Sequence, residues 1–98
     1  MSEGWRAEAS RLLELARGLK GEARDAFLYF LDNVSVGDLR AIRDLSKKGI
    51  RDPAGVVEEL IEAGLLERGR DCFNVPEPLR KLIAERGVEA VLRALGTG

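Results

Sequence analysis

The sequence predicts a mainly helical α+β fold, and three observations carry that prediction. Amphipathic helical spacing recurs from Trp5 to Ile61. Between Leu66 and Val75 the period changes to two around Gly69-Arg70-Asp71, which marks a short two-stranded hairpin. Helical spacing then resumes behind Pro76 and Pro78. Ninety-eight residues, 45% hydrophobic and 34% charged, suit one globular domain over 1–98 with a modest core. The core is expected at about 23–86, with an extra amino-terminal helix at 5–19 and helical turns at 88–95.

The first element, Trp5 to Leu19, has apolar residues at 5, 9, 12, 13, 16 and 19, with Ser2 as its expected N-cap. Gly18 and Gly21 separate it from a second helix, Glu22 to Leu31. That helix carries a stripe of Ala23, Phe27, Phe30 and Leu31, widened by Leu28 and Tyr29, and belongs in the middle of the core. Ser35, followed three residues later by Asp38, forms a weak capping box. It predicts a third helix through about Lys48, with Val36, Leu39, Ile42 and Leu45 facing inward. Gly49 stops this helix, and Ile50 is placed to fold back over its last turn.

Asp52-Pro53 is the strongest start signal in the chain. An Asp carboxylate accepts from an orphan helix N–H, and a proline at the first helical position loses no bond. The fourth helix, Asp52–Ala63, turns Val56, Val57, Leu60 and Ile61 inward and ends at Gly64. Leu66-Glu67-Arg68 and Cys72-Phe73-Asn74-Val75 are the hairpin strands. Beyond the prolines, Leu79 to Arg86 and Val88 to Leu95 are helical, and Gly96-Thr97-Gly98 is expected to fray.

The bulk numbers exclude several classes. No apolar run is long enough to cross a bilayer, and Met1-Ser2-Glu3-Gly4 is not the start of a signal peptide. The single Cys72 excludes an internal disulfide and fits a reducing compartment, so the expected location is cytoplasmic, or nucleoid-associated for a DNA binder. Twelve Arg against four Lys, with Gln and His absent, fit a thermophile or an Arg-rich coding composition. Without histidine, the commonest general base and metal ligand is missing. Cys72 is expected to pack inward as a structural thiol. Glu58, Glu59 and Glu62 read as a solvated helix face rather than a metal site. No enzyme activity, cofactor or metal is expected.

Charge is segregated along the chain. The formal net charge is −1, yet residues 36–51 carry Arg40, Arg43, Lys47, Lys48 and Arg51 against two aspartates. Residues 52–67 carry Asp52, Glu58, Glu59, Glu62 and Glu67 with no base.

The run Val56-Val57-Glu58-Glu59-Leu60-Ile61-Glu62-Ala63-Gly64-Leu65-Leu66, followed by Phe73-Asn74-Val75-Pro76, resembles the winged helix-turn-helix domains common in archaea and bacteria. The resemblance covers about residues 23–86. It implies that the Asp52–Ala63 helix enters a major groove and that the wing touches the DNA backbone or the minor groove. Here that helix exposes Glu58, Glu59 and Glu62 and offers no Arg, Lys, Asn or Gln for base readout. The Lys47–Arg51 turn is also longer than a tight helix-turn-helix turn.

Two functions stay open, with nucleic-acid association the main reading and a protein-interaction module the alternative. The first is a nucleic-acid-associated protein of regulatory or chromatin type, holding DNA through phosphate contacts from Arg40, Arg43, Lys47, Lys48, Arg51, Arg68 and Arg70. The second is a protein-interaction module, such as a small accessory subunit of a replication, transcription or repair complex. Its contacts to a protein partner or a homodimer mate would come from Trp5, Leu12, Glu58, Glu59 and Glu62, although for Trp5 packing on the body of its own chain is the favoured reading.

Overall fold

The computed structural model describes residues 4–96. The fold is α+β and mainly helical. Its elements are α1 (Gly4–Arg17), α2 (Gly21–Asn33), β1 (Ser35–Gly37), α3 (Asp38–Lys47), α4 (Pro53–Glu62), β2 (Glu67–Arg68), β3 (Cys72–Asn74), α5 (Glu77–Arg86) and α6 (Val88–Ala94). Ser2, Thr97 and Gly98, expected to cap or fray, lie outside the described residues.

Local chemistry accounts for both ends of α4 and for the end of α3. The Asp52 side chain accepts from the Gly55 N–H at 3.1 Å, and Pro53 opens α4 without losing a bond. Two helices end alike. After α3, Ile50 N–H bonds Leu45 O at 3.1 Å and Gly49 N–H bonds Ser46 O at 3.0 Å. After α4, Leu65 N–H bonds Leu60 O at 2.9 Å and Gly64 N–H bonds Ile61 O at 3.0 Å. Both are Schellman closures. Each needs a left-handed residue, and Gly49 (φ 93°) and Gly64 (φ 81°) supply it without steric cost. The following Ile50 and Leu65 are thereby delivered into the core.

The region 35–48 differs from its sequence reading. Ser35–Gly37 is a strand, not the first turn of a helix, and it makes the hairpin three-stranded in the order β1-β3-β2. All pairing is antiparallel, with Val36 opposite Phe73 and Arg68 opposite Phe73 on the other side. Ser35 does not cap. Its hydroxyl donates to Asn74 Oδ1 at 2.6 Å instead, and the Asp38 N–H bonds Asp71 O at 3.0 Å. Because α3 starts only at Asp38, its buried residues are Ala41 and Leu45, one turn apart. Val36 is buried from the strand, Ile42 is half-buried, and Leu39 is left 83% exposed.

One continuous core joins all the helices and β1 and β3. Phe27, Phe30 and Leu31 of α2 lie at its centre with Leu45, Leu60, Leu65, Phe73, Val75 and Leu79. Phe30 meets Phe73 edge-on, with ring centroids 6.0 Å apart. From α1, Ala9, Leu12, Leu13 and Ala16 complete it, and Val91 and Leu95 close the carboxyl-terminal side. Alternation on β3 turns Phe73 inward, so Cys72 is half-buried rather than packed in the core as expected. Its Sγ lies 3.7 Å from Asn74 Nδ2.

Candidate functional site

The bulky side chain that the fold leaves in water is Leu39. Among the described residues the exposed large hydrophobics are Leu39, at 83%, and Leu15 of α1, at 42%. Leu39 stands at the mouth of a groove of about 220 Å³ between α3 and α4, closed at one end by the sheet. Ile42, Ala54, Val57 and Phe73 give the groove apolar walls, and Asp38, Glu58 and Arg68 are its charged rim. The same cause produces both features. The strand β1 consumes Val36 and delays the helix, and the helical turn that follows then points Leu39 away from the core.

The acidic residues of α4 divide by position. Glu58 lines the groove and pairs with Arg68 of β2, whose guanidinium also lies 5.5 Å from the centre of the Phe73 ring. Glu59 and Glu62 are exposed on the same helix. No base lies between Pro53 and Glu62, so the outward face of α4 is uniformly negative.

The seven basic residues expected at phosphate are all exposed, but they do not act alike. Arg68 is held by Glu58. Arg40 Nε lies 3.4 Å from Asp44 Oδ2. Lys48 Nζ sits 6.0 Å from the centre of the Tyr29 ring. Arg43 and Lys47 are on the outward side of α3, given that Ala41 and Leu45 face in. Arg51 is in the turn before α4, where its backbone N–H donates to Glu22 Oε2 at 3.2 Å. Arg70 is at the hairpin tip.

Behind the basic helix lies a small polar network. The Tyr29 hydroxyl donates to Asp44 Oδ2 at 2.7 Å. Burial first, and then that hydrogen bond to a carboxylate, push the Tyr29 hydroxyl up to about 12. The Tyr29 bond, with help from Arg40 and Arg43, holds the Asp44 carboxyl below its ordinary value.

The partner residues expected on α1 are corrected or relocated. Leu12 is 2% exposed and belongs to the core, so it cannot meet a partner. Trp5 is half-buried against the body of its own chain. The Arg6 guanidinium lies 4.5 Å from the centre of the Trp5 ring, and Lys81 Nζ of α5 lies 5.9 Å from it. Arg6 also grips Glu85 with two bonds of 2.6 and 2.5 Å, which holds the Glu85 carboxyl below its ordinary value. Thus α1 is a docked element of the fold.

Leu39 is the residue that the sequence reading missed. Its spacing from Val36 and Ile42 suggested a core position. The competing signal was Ala41 with Leu45, an i, i+4 pair behind the helix-breaking Gly37.

Among the described residues no group of three or more His, Cys, Asp or Glu is placed to hold a metal ion, and no charged or polar side chain is buried. Among the described residues no helix is long and apolar enough to cross a membrane. No curated protein matches the chain. A family described as PolB1 Binding Protein 2 matches residues 20–81, which run from the start of α2 into α5 and include the whole groove; the chain therefore belongs to that family.

Proposed function

We propose that this chain is a protein-interaction subunit that binds a polymerase of the PolB1 kind and uses a winged-helix arrangement as its scaffold. The observation that carries this reading is the match to a family of PolB1-binding proteins over the segment that holds the groove. The order α2-β1-α3-α4-β2-β3 supports the winged-helix reading, in which α4 would take the place of the recognition helix. Charge then argues against that helix as a reader of DNA. Glu58, Glu59 and Glu62 would face phosphates of like sign, and protein partners impose no such penalty.

Phosphate contact survives as a second, lesser reading because Arg43, Lys47 and Arg51 are exposed and Arg43 and Lys47 share one side of α3. A polymerase subunit could use them to rest against DNA that the polymerase holds.

One experiment separates the two. The purified chain is run with its PolB1 polymerase by size-exclusion chromatography, and alone with duplex DNA in a low-salt mobility-shift assay. The expected outcome is a stable complex with the polymerase, and DNA retardation that is weak and vanishes as salt rises. Tight DNA retention by the chain alone, with no polymerase complex, would reverse the assignment.

A further inference from the structure

We infer that the groove between α3 and α4, with Leu39 at its mouth, is the surface that receives the polymerase, and that its occupant is a polypeptide segment with an apolar side chain flanked by Lys or Arg. The inference rests on the proposed polymerase-binding function and adds the surface and the chemistry of what fills it.

The size of the groove selects a side chain over a small molecule. About 220 Å³ lies below the ~300–1,000 Å³ of ordinary ligand sites. Ile42, Ala54, Val57 and Phe73 supply its apolar lining, and Asp38, Glu58 and Arg68 its charged lining. Leu39 has no internal function that would explain its position. Ala41 and Leu45 already pack α3, and a leucine 83% exposed contributes almost nothing to folding. Placed beside an apolar groove, it becomes the natural cover for an inserted side chain.

Charge decides what flanks that side chain. The lining carries two carboxylates, Asp38 of α3 and Glu58 of α4, against one base, Arg68, which pairs with Glu58 and leaves the rim one negative charge in excess. Past the rim, α4 offers the exposed Glu62, one turn beyond Glu58. A segment bearing Lys or Arg beside its anchor meets opposite charge at each of these places. A phosphate backbone or an acidic peptide meets like charge there. Arg43 lies one helical turn from Leu39 on α3, so the cation of the segment is placed toward Asp38 and α4 rather than along α3.

The test titrates the full chain into the polymerase by isothermal calorimetry, with four variants whose folding is checked by circular dichroism. Leu39→Ala should weaken binding by about tenfold or more, and Leu39→Glu should remove it. Glu58→Lys should weaken binding severalfold at low salt and less at high salt. Leu15→Glu, a change to the other exposed leucine on α1, should leave affinity unchanged. If the wild-type chain itself fails to bind, the polymerase function is overturned and this surface with it. If the wild type binds and the two Leu39 variants bind as well, the surface alone is overturned. Equal loss in Leu15→Glu would also overturn it, because the effect would not be local to the groove. So would self-association of the wild type that Leu39→Glu abolishes while polymerase binding persists, since the groove would then belong to a second copy.

Discussion

Tyr29 is a tyrosine whose hydroxyl works for the fold rather than for chemistry. It spans from the buried α2 to Asp44 on α3, and the hydrogen bond of 2.7 Å ties the centre of the core to the basic helix. Because the folded state holds the phenol protonated up to about 12, while an unfolded tyrosine ionises near ~10, the unfolded chain binds fewer protons between those values. Stability must therefore fall as pH rises from about 10 through 12. The carboxylate partner acts at the other extreme. Asp44 is depressed in the folded state, so its contribution is present above the ordinary aspartate value of ~3.9 and is lost as pH falls through its folded value. The chain has a single tyrosine, so the tyrosinate absorbance reports this site alone. It should appear near pH 12 in the folded protein and near ~10 in denaturant. Asp44→Asn should lower the folded value only part of the way, because burial is the larger cause. Titration of the native protein at the ordinary tyrosine value would contradict the geometry.

At the scale of elements, what could be read from the sequence depended on whether the determinant was local. The start of α4 at Asp52-Pro53, the ends at Gly49 and Gly64, and the turn between β2 and β3 are set by residues within five positions of each other, and each was legible. The strand β1 was not, because nothing in Ser35-Val36-Gly37 makes a strand except its pairing with β3, nearly forty residues away. That error moved the start of α3 by three residues and so rotated its inward face. It hid Leu39 among core positions, and the groove with it. Cys72 was misplaced for a similar reason, since the parity of β3 is fixed by Phe73 meeting Phe30 rather than by composition. The acidic face of α4 was readable because charge needs no partner to be counted. Amide exchange tests the revised boundary. The Asp38 N–H bonds Asp71 O at 3.0 Å and the Val75 N–H bonds Val34 O at 2.8 Å, so both should exchange slowly. In one continuous helix capped by Ser35, the Asp38 amide would be held only by the Ser35 hydroxyl, so Ser35→Ala would open it to exchange, whereas the bond to Asp71 O keeps it slow in that variant.

For the whole molecule, the issue is whether α1, which precedes the segment matched by the family, is part of the same cooperative unit. Its four inward residues, Ala9, Leu12, Leu13 and Ala16, belong to the same continuous core as Phe27, Leu60 and Leu79. Polar ties reinforce the docking at both ends. Arg6 grips Glu85 of α5, and the Arg17 Nε donates to Ala94 O of α6 at 3.1 Å. Exposed ties of this kind contribute little by themselves, so the apolar contact must dominate. A domain of this size with one contiguous core should unfold in a single step. Trp5, the only tryptophan, reports α1 by fluorescence, while far-ultraviolet circular dichroism reports all six helices together. The two melting curves should coincide. Leu12→Ala should shift both by the same amount, with a loss of roughly 2–5 kcal/mol from the buried leucine. If the Trp5 signal melted first and Leu12→Ala moved only that curve, α1 would be an appendage on a core that stands without it.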